Sequence, residues 1–83
     1  MEPRSPEHAA YGRALRHFRT ELGLSQEQLA QEAELDRSYV SGIERGERNP
    51  SLANILKLTD VLGIKLSELA RAAEELLADE TSL

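Results

Sequence analysis

Arg37, Ser38, Ser41 and Arg45 recur at spacings that bring them to one side of a helix, with Tyr39 at the flank. Advancing about 100° per residue from Arg37 puts Arg37, Ser41, Arg45, Ser38 and Gly42 in an arc of roughly 140°. Val40 and Ile43 fall on the other side, with Asp36 nearby. Guanidinium forks and hydroxyls in one strip can donate and accept hydrogen bonds to a polar partner. That is the chemistry of recognition. Bond-breaking chemistry needs a nucleophile with a nearby His and carboxylate, a phosphate-cradling loop or a metal set, and none is legible. There is no Cys, so no disulfide and no thiolate site. His8 and His17 lie far from any paired ligand and read as surface or helix-capping groups. We expect no enzyme, no metal and no cofactor.

The elements that must position this strip are two short helices joined by a tight turn, between Leu24 and Gly46. Ser25 can cap the N–H of Gln28 while Gln28 reaches back, an S-x-x-Q capping box, and Leu24 can staple to Leu29. The second helix repeats the device, with Asp36 as cap and Leu35 and Val40 as staple. Gly46 sits where a helix ends in a left-handed residue. A short helix with an apolar strip on one side and a polar row on the other is how a helix-turn-helix offers its recognition helix to the major groove of DNA. A merely solvated face is the weaker reading, because the two-helix context is so specific.

This segment resembles the lambda-repressor and Cro-like (XRE-type) helix-turn-helix domains, over about residues 8–70. The run LDRSYVSGIERGERNPSLANILKL is similar to the controller proteins of bacterial restriction–modification systems, which are small dimeric transcription regulators. The resemblance implies an all-α, compact five-helix domain with the helix-turn-helix at helices 2–3. It implies that Gln26 holds a phosphate and that Arg37, Ser38, Tyr39 and Ser41 approach base edges, Arg37 being suited to guanine. It places Arg48 and Asn49 at the DNA backbone after helix 3, with Arg45 on the same basic edge. Read from the residues alone, Tyr39 is either core filler or a contact to phosphate or a thymine methyl. Arg19 and Glu44 in isolation look like a surface pair; in the resembling family the matching residues form an inward salt bridge between helices 1 and 3. One departure is Glu34, at a turn position where the family uses Gly or Asn. A left-handed Glu there costs about 1–2 kcal/mol, unless the turn is reshaped.

Eighty-three residues permit one modest core and no second globular domain. We expect a disordered arm over 1–5, a DNA-binding and dimerisation domain over 6–79, and a disordered tail over 80–83. Helix 1 begins near Ser5 with Pro6 at its first position and runs to Leu22, ending at Gly23. Its apolar line is Ala10 or Tyr11, then Leu15, Phe18 and Leu22. Helix 4 is capped by Ser51, carries Leu52, Ile55, Leu58 and Leu62, and stops at Gly63. Helix 5 runs from about Leu66 to Ala78. No strand pattern or repeat is visible. No apolar run reaches membrane-spanning length and no signal peptide is legible, so the expectation is a cytoplasmic protein with no membrane partner. Arg outnumbering Lys, with frequent Ala, hints at a GC-rich bacterial source.

The formal net charge of −5 weighs against DNA, since phosphates are neutralised by Lys and Arg. Its distribution answers the objection. Arg37, Arg45 and Arg48 lie on or after the recognition helix, and Arg13, Arg16 and Arg19 on the first helix. The acidic surplus is heaviest at Glu68, Glu74, Glu75, Asp79 and Glu80. A basic reading edge with an acidic back should bind random DNA poorly and depend on a specific, dimeric site. Leu66, Leu69, Ala70, Ala73, Leu76 and Leu77 recur at helical spacing. The inner ones close the core over helices 1 and 4. Leu76 and Leu77 are expected to project beyond it as a partner surface rather than fold back on helix 1; Ile64 and Leu66 join them by resemblance. The expected protein is a homodimeric, sequence-specific regulator on near-palindromic double-stranded sites, of the restriction–modification controller kind. The alternative is an antitoxin-type or prophage-type repressor whose C-terminal helix binds another protein. Contact with RNA polymerase follows if it activates.

Overall fold

In the computed structural model, which describes residues 2–81, five helices follow one another: α1 (Pro6–Glu21), α2 (Gln26–Ala33), α3 (Arg37–Glu44), α4 (Leu52–Leu62) and α5 (Leu66–Thr81). Local chemistry explains most of their starts. The Ser5 hydroxyl accepts from His8 N–H at 3.1 Å, and the Ser51 hydroxyl from Asn54 N–H at 3.1 Å. At α2 the capping box closes both ways: Gln28 N–H donates to Ser25 Oγ at 3.0 Å, and Ser25 N–H to Gln28 Oε1 at 2.8 Å. Asp36 is a correction. It holds the extended N-cap position of α3 but its side chain makes no capping bond. The carboxylate is exposed and gains little by leaving water. The Asp36 carbonyl instead accepts from Tyr39 and Val40 N–H, each at 3.1 Å.

Every helix sends one large side chain to full burial: Leu15 from α1, Leu29 from α2, Val40 from α3, Leu58 from α4 and Leu69 from α5. Each contributes roughly 1.5–3 kcal/mol by leaving water. Small residues fill between them, among them Ala10, Ala14, Ala30 and Ala73. The long α5 lies along α1; α3 packs on α1 and α2, and α4 on α2 and α5.

Four apolar positions differ from the expectation. Leu22, the residue that ends α1, is 56% exposed, because the helix has run past the core by its last turn. Leu52, in the first turn of α4, is 62% exposed for the mirror reason. Leu76 and Leu77 do not project beyond the core: both are half-buried and packed against it. Helix α5 continues to Thr81, so the expected tail begins inside it; residues 82 and 83, like Met1, lie outside the described residues. Ahead of α1, Arg4 N–H donates to the Gly46 carbonyl at 2.8 Å. Among the described residues no helix is long and apolar enough to cross a membrane.

Candidate nucleic-acid interface

The turn between α2 and α3 keeps its left-handed residue. Glu34 has φ 58° and ψ 44°, the one positive φ outside glycine among the described residues. The geometry is closed by Glu34 N–H to the Gln31 carbonyl at 3.2 Å and Leu35 N–H to the Ala30 carbonyl at 2.8 Å. The strain is about 1–2 kcal/mol, and it is set against the packing of Leu29, Ala33 and Val40, which needs the two helices at this angle.

Beneath the turn, α3 is fastened from two sides. Arg19 Nε donates to Glu44 Oε2 at 2.6 Å and its Nη2 to Oε1 at 2.9 Å, a bidentate pair joining α1 to α3. Gln26, from the first position of α2, adds Nε2 to Glu44 Oε1 at 2.9 Å. The remaining Arg19 nitrogen, Nη1, donates to the Leu24 carbonyl at 2.8 Å. Both charged residues are only 8% exposed. The hydrogen bonds it donates to Glu44 hold the Arg19 guanidinium above its ordinary pKa, against the opposing effect of burial. Arg19 therefore does not belong to the basic edge expected from the sequence; its charge is spent inside. The backbones of α1 and α3 also meet closely. A β-carbon on Gly12 would lie 2.3 Å from the Ile43 carbonyl oxygen and 2.6 Å from that of Glu44.

Over this base lies the polar arc. Arg37 and Ser38 open α3, are exposed, and Arg37 has no hydrogen-bond or ion-pair partner among the described residues. Ser41 is half-buried and accepts a bond from Arg45 Nη1. Arg45 is also met by Glu47, Nε to Oε2 at 3.1 Å. That hydrogen bond holds the Glu47 carboxyl below the usual carboxylate range, against the opposing effect of desolvation. Gly42 is a correction: it does not open the arc to solvent but is buried under the side chain of Arg48. Tyr39 is half-buried, its hydroxyl accepting from Asn54 Nδ2 at 3.1 Å, with the Arg48 guanidinium 6.0 Å from its ring centroid. Asn49 Oδ1 lies 3.2 Å from His8 Nε2, and His8 Nδ1 lies 2.7 Å from Ser5 Oγ.

The fold thus gathers Arg37, Ser38, Tyr39, Ser41 and Arg45 from α3 with Arg48 and Asn49 from the loop after it, and sets Gln26 against the base of α3. Ile64 and Leu66 lie apart, at the α4–α5 junction. Three residues at the site were not read from the sequence, Glu47, Asn54 and Gly12, and Gly42 was read only as part of the polar arc. The partner of Tyr39 comes from fifteen positions away, on another helix, and leaves no local signal. Glu47 reaches Arg45 only because the chain turns back at Gly46, where φ is 76° and a β-carbon would strike the Ala9 backbone at 2.8 Å. Gly42 did carry a signal, a glycine inside a helix where alanine would be more stable.

A helix-turn-helix family model matches residues 15–69. The chain is similar to the control protein C.MunI of Mycoplasma sp, 50% identical over 60 residues, which cover 71% of this chain and 81% of the relative. Among solved structures it is similar to the restriction–modification controller protein C.AhdI from Aeromonas hydrophila, with 54% identity and a TM-score of 0.77 over 78% of this chain and 98% of that one. It is also similar to the clp gene regulator ClgR from Corynebacterium glutamicum, with 26% identity and a TM-score of 0.90 over 96% of this chain and 85% of that one.

Proposed function

The chain belongs to the helix-turn-helix family, of the lambda-repressor and Cro-like (XRE) type, and is a sequence-specific DNA-binding regulator; from that premise we propose that it acts as a homodimer on near-palindromic operators, as a restriction–modification controller. The observation that carries the reading is Arg37. It is the first residue of α3, exposed and unpartnered among the described residues, on a helix already immobilised by the Arg19–Glu44–Gln26 lock. A fork-shaped donor on a rigid mount loses little entropy on meeting a guanine edge.

The remaining roles follow from position. Ser38, Tyr39 and Ser41 meet base edges from the first turns of α3. Arg45, Arg48, Asn49 and Gln26 meet phosphates, which fix register without reading sequence. Gln26 keeps its amide nitrogen on Glu44, so it ties phosphate contact to the lock.

One recognition helix buries too little for high specificity, and an acidic chain cannot compensate with nonspecific affinity. A second copy answers that need, and the exposed apolar surface supports one place for it. Leu56 is 46% exposed and Leu66 is 37% exposed; both line one shallow groove with Ala53 and Ile64, and Leu52 lies one turn earlier on α4. Of the surface expected from the sequence, Ile64 and Leu66 stay. Leu76 and Leu77 commit much of their area to this chain's own core and are left at most a rim role. Two copies related by a two-fold axis would need their recognition helices about one DNA turn, roughly 34 Å, apart.

Selection of bound sites from a random duplex pool tests the reading. Near-palindromic sites are expected, and Arg37→Ala should weaken binding by about 1–3 kcal/mol while relaxing preference at one base pair per half-site. An equal loss on every duplex reassigns Arg37 to phosphate. Sedimentation equilibrium should show a dimer that Leu56→Glu or Leu66→Glu dissociates. A wild-type monomer at tens of micromolar, roughly the scale of a weak regulator dimer, sinks the homodimer. Co-purification of a second chain on α5 would favour the antitoxin type instead.

A further inference from the structure

Gly42 stands third from the end of α3 and is buried. Its backbone is helical, so no dihedral requirement asks for glycine, the least favourable ordinary residue in a helix interior. Space does. A β-carbon there would lie 2.5 Å from Arg48 Cγ, 3.3 Å from its Nε and 3.4 Å from its Cδ. These nearest atoms all belong to one flexible side chain, unlike the backbone that confronts Gly12. The main chain brings Arg48 to this spot: the N–H groups of Glu47 and Arg48 both donate to the Gly42 carbonyl, at 2.9 and 3.3 Å. Held there by its backbone, Arg48 runs its side chain across the Gly42 α-carbon and ends with its guanidinium 6.0 Å from the Tyr39 ring centroid. Tyr39 is fixed in turn by Asn54 from α4.

We propose that Gly42 is a positioning residue for DNA binding: the space left by its missing side chain is where Arg48 lies flat on the recognition helix, delivering a pre-placed cation beside Tyr39 to the DNA backbone. The role rests on the phosphate contact proposed above for Arg48. An arginine free in solvent must surrender its rotamer freedom on binding. One already laid across α3 has surrendered it in folding, so the binding step keeps more of the contact's energy. Any side chain at 42 lifts Arg48 away while leaving α3 a better helix.

Stability and binding should therefore move in opposite directions. Gly42→Ala is expected to raise Tm, by up to about 4–8 °C. It should weaken binding about threefold to tenfold, alike on a selected operator and on a scrambled duplex of the same length. The slope of log affinity against log salt should fall by up to about one. In an Arg48→Ala background, Gly42→Ala should cost no further affinity, the signature of two changes acting on one contact. A Tm below wild type overturns the proposal, since the β-carbon is then meeting something that cannot move. So does wild-type affinity in Gly42→Ala where Arg48→Ala binds weakly, or a strictly additive pair. Wild-type affinity in Arg48→Ala removes the phosphate contact itself, and Gly42's role with it. A wild-type protein that selects no duplex at all instead removes the proposed function.

Discussion

Removing the Glu44 carboxylate while leaving Arg19 in place should be the most damaging single change in this chain outside the apolar core. Glu44→Ala deletes three acceptor contacts at once, at 2.6, 2.9 and 2.9 Å, two from Arg19 and one from Gln26. What remains is a guanidinium 8% exposed, with the Leu24 carbonyl as its remaining acceptor among the described residues. Stranding a buried charge in this way costs about 3–5 kcal/mol. A chain of 83 residues has a total stability of about 4–12 kcal/mol, so about a quarter of it or more is at stake. At roughly 4–8 °C per kcal/mol, Tm should fall by about 12 °C or more. Arg19→Met/Glu44→Leu should recover most of the loss, because apolar groups of similar shape carry no charge to strand. The deficit left, about 1–2 kcal/mol, is the Leu24 carbonyl and the Gln26 amide without their partners; both residues are half-buried, within reach of water. Urea melts of wild type, single and double variants decide. A single variant within about 1 kcal/mol of wild type, or a double variant as unstable as the single, refutes the reasoning. The raised Arg19 pKa implies stability present below the ordinary arginine value and lost only above it, so Arg19 itself should add no pH dependence in the working range.

Glu34→Gly should stabilise by about 0.5–1 kcal/mol, the relief of left-handed strain less the extra backbone entropy of glycine; a loss in urea melts would show that the Glu34 side chain is needed. Gly12→Ala should destabilise by about 1–3 kcal/mol or more, because its β-carbon meets carbonyl oxygens at 2.3 and 2.6 Å that belong to α3. Wild-type melting there would mean that α1 and α3 part without penalty. Glu47→Gln should release Arg45 and raise affinity for duplexes of any sequence by about threefold to tenfold at low salt, as read by fluorescence titration; unchanged affinity would place Arg45 away from phosphate. Because Arg45 holds the Glu47 carboxyl below its usual range, that pairing contributes above the ordinary carboxylate pKa and is lost as the pH falls through the acid range.

The elements of this protein were legible where their causes are local. Ser25 with Gln28 announces the start of α2, Ser51 that of α4, and Gly63 the end of α4, since each acts within one turn of its own position. The polar arc of α3 was legible for the same reason, as periodicity alone sets Arg37, Ser38, Ser41 and Arg45 against Val40 and Ile43. The inward direction of Arg19 was not readable from its own surroundings; in isolation it reads as one more surface arginine, and only the resemblance turned it toward Glu44, twenty-five residues away. Periodicity also overreached at helix ends. Leu22 and Leu52 fall on their helices' apolar lines yet are exposed, because a line along a helix says nothing about where its neighbours stop. Leu76 and Leu77 went the other way, packing half-buried against the core, because α5 packs on α1. Tertiary structure alone decided that Gly42 lies beneath Arg48, that Asn54 reaches Tyr39, and that Glu47 answers Arg45. Caps and faces are fixed by neighbours in the chain, whereas buried charge, close backbone approach and the setting of a reading side chain depend on atoms that only folding brings together.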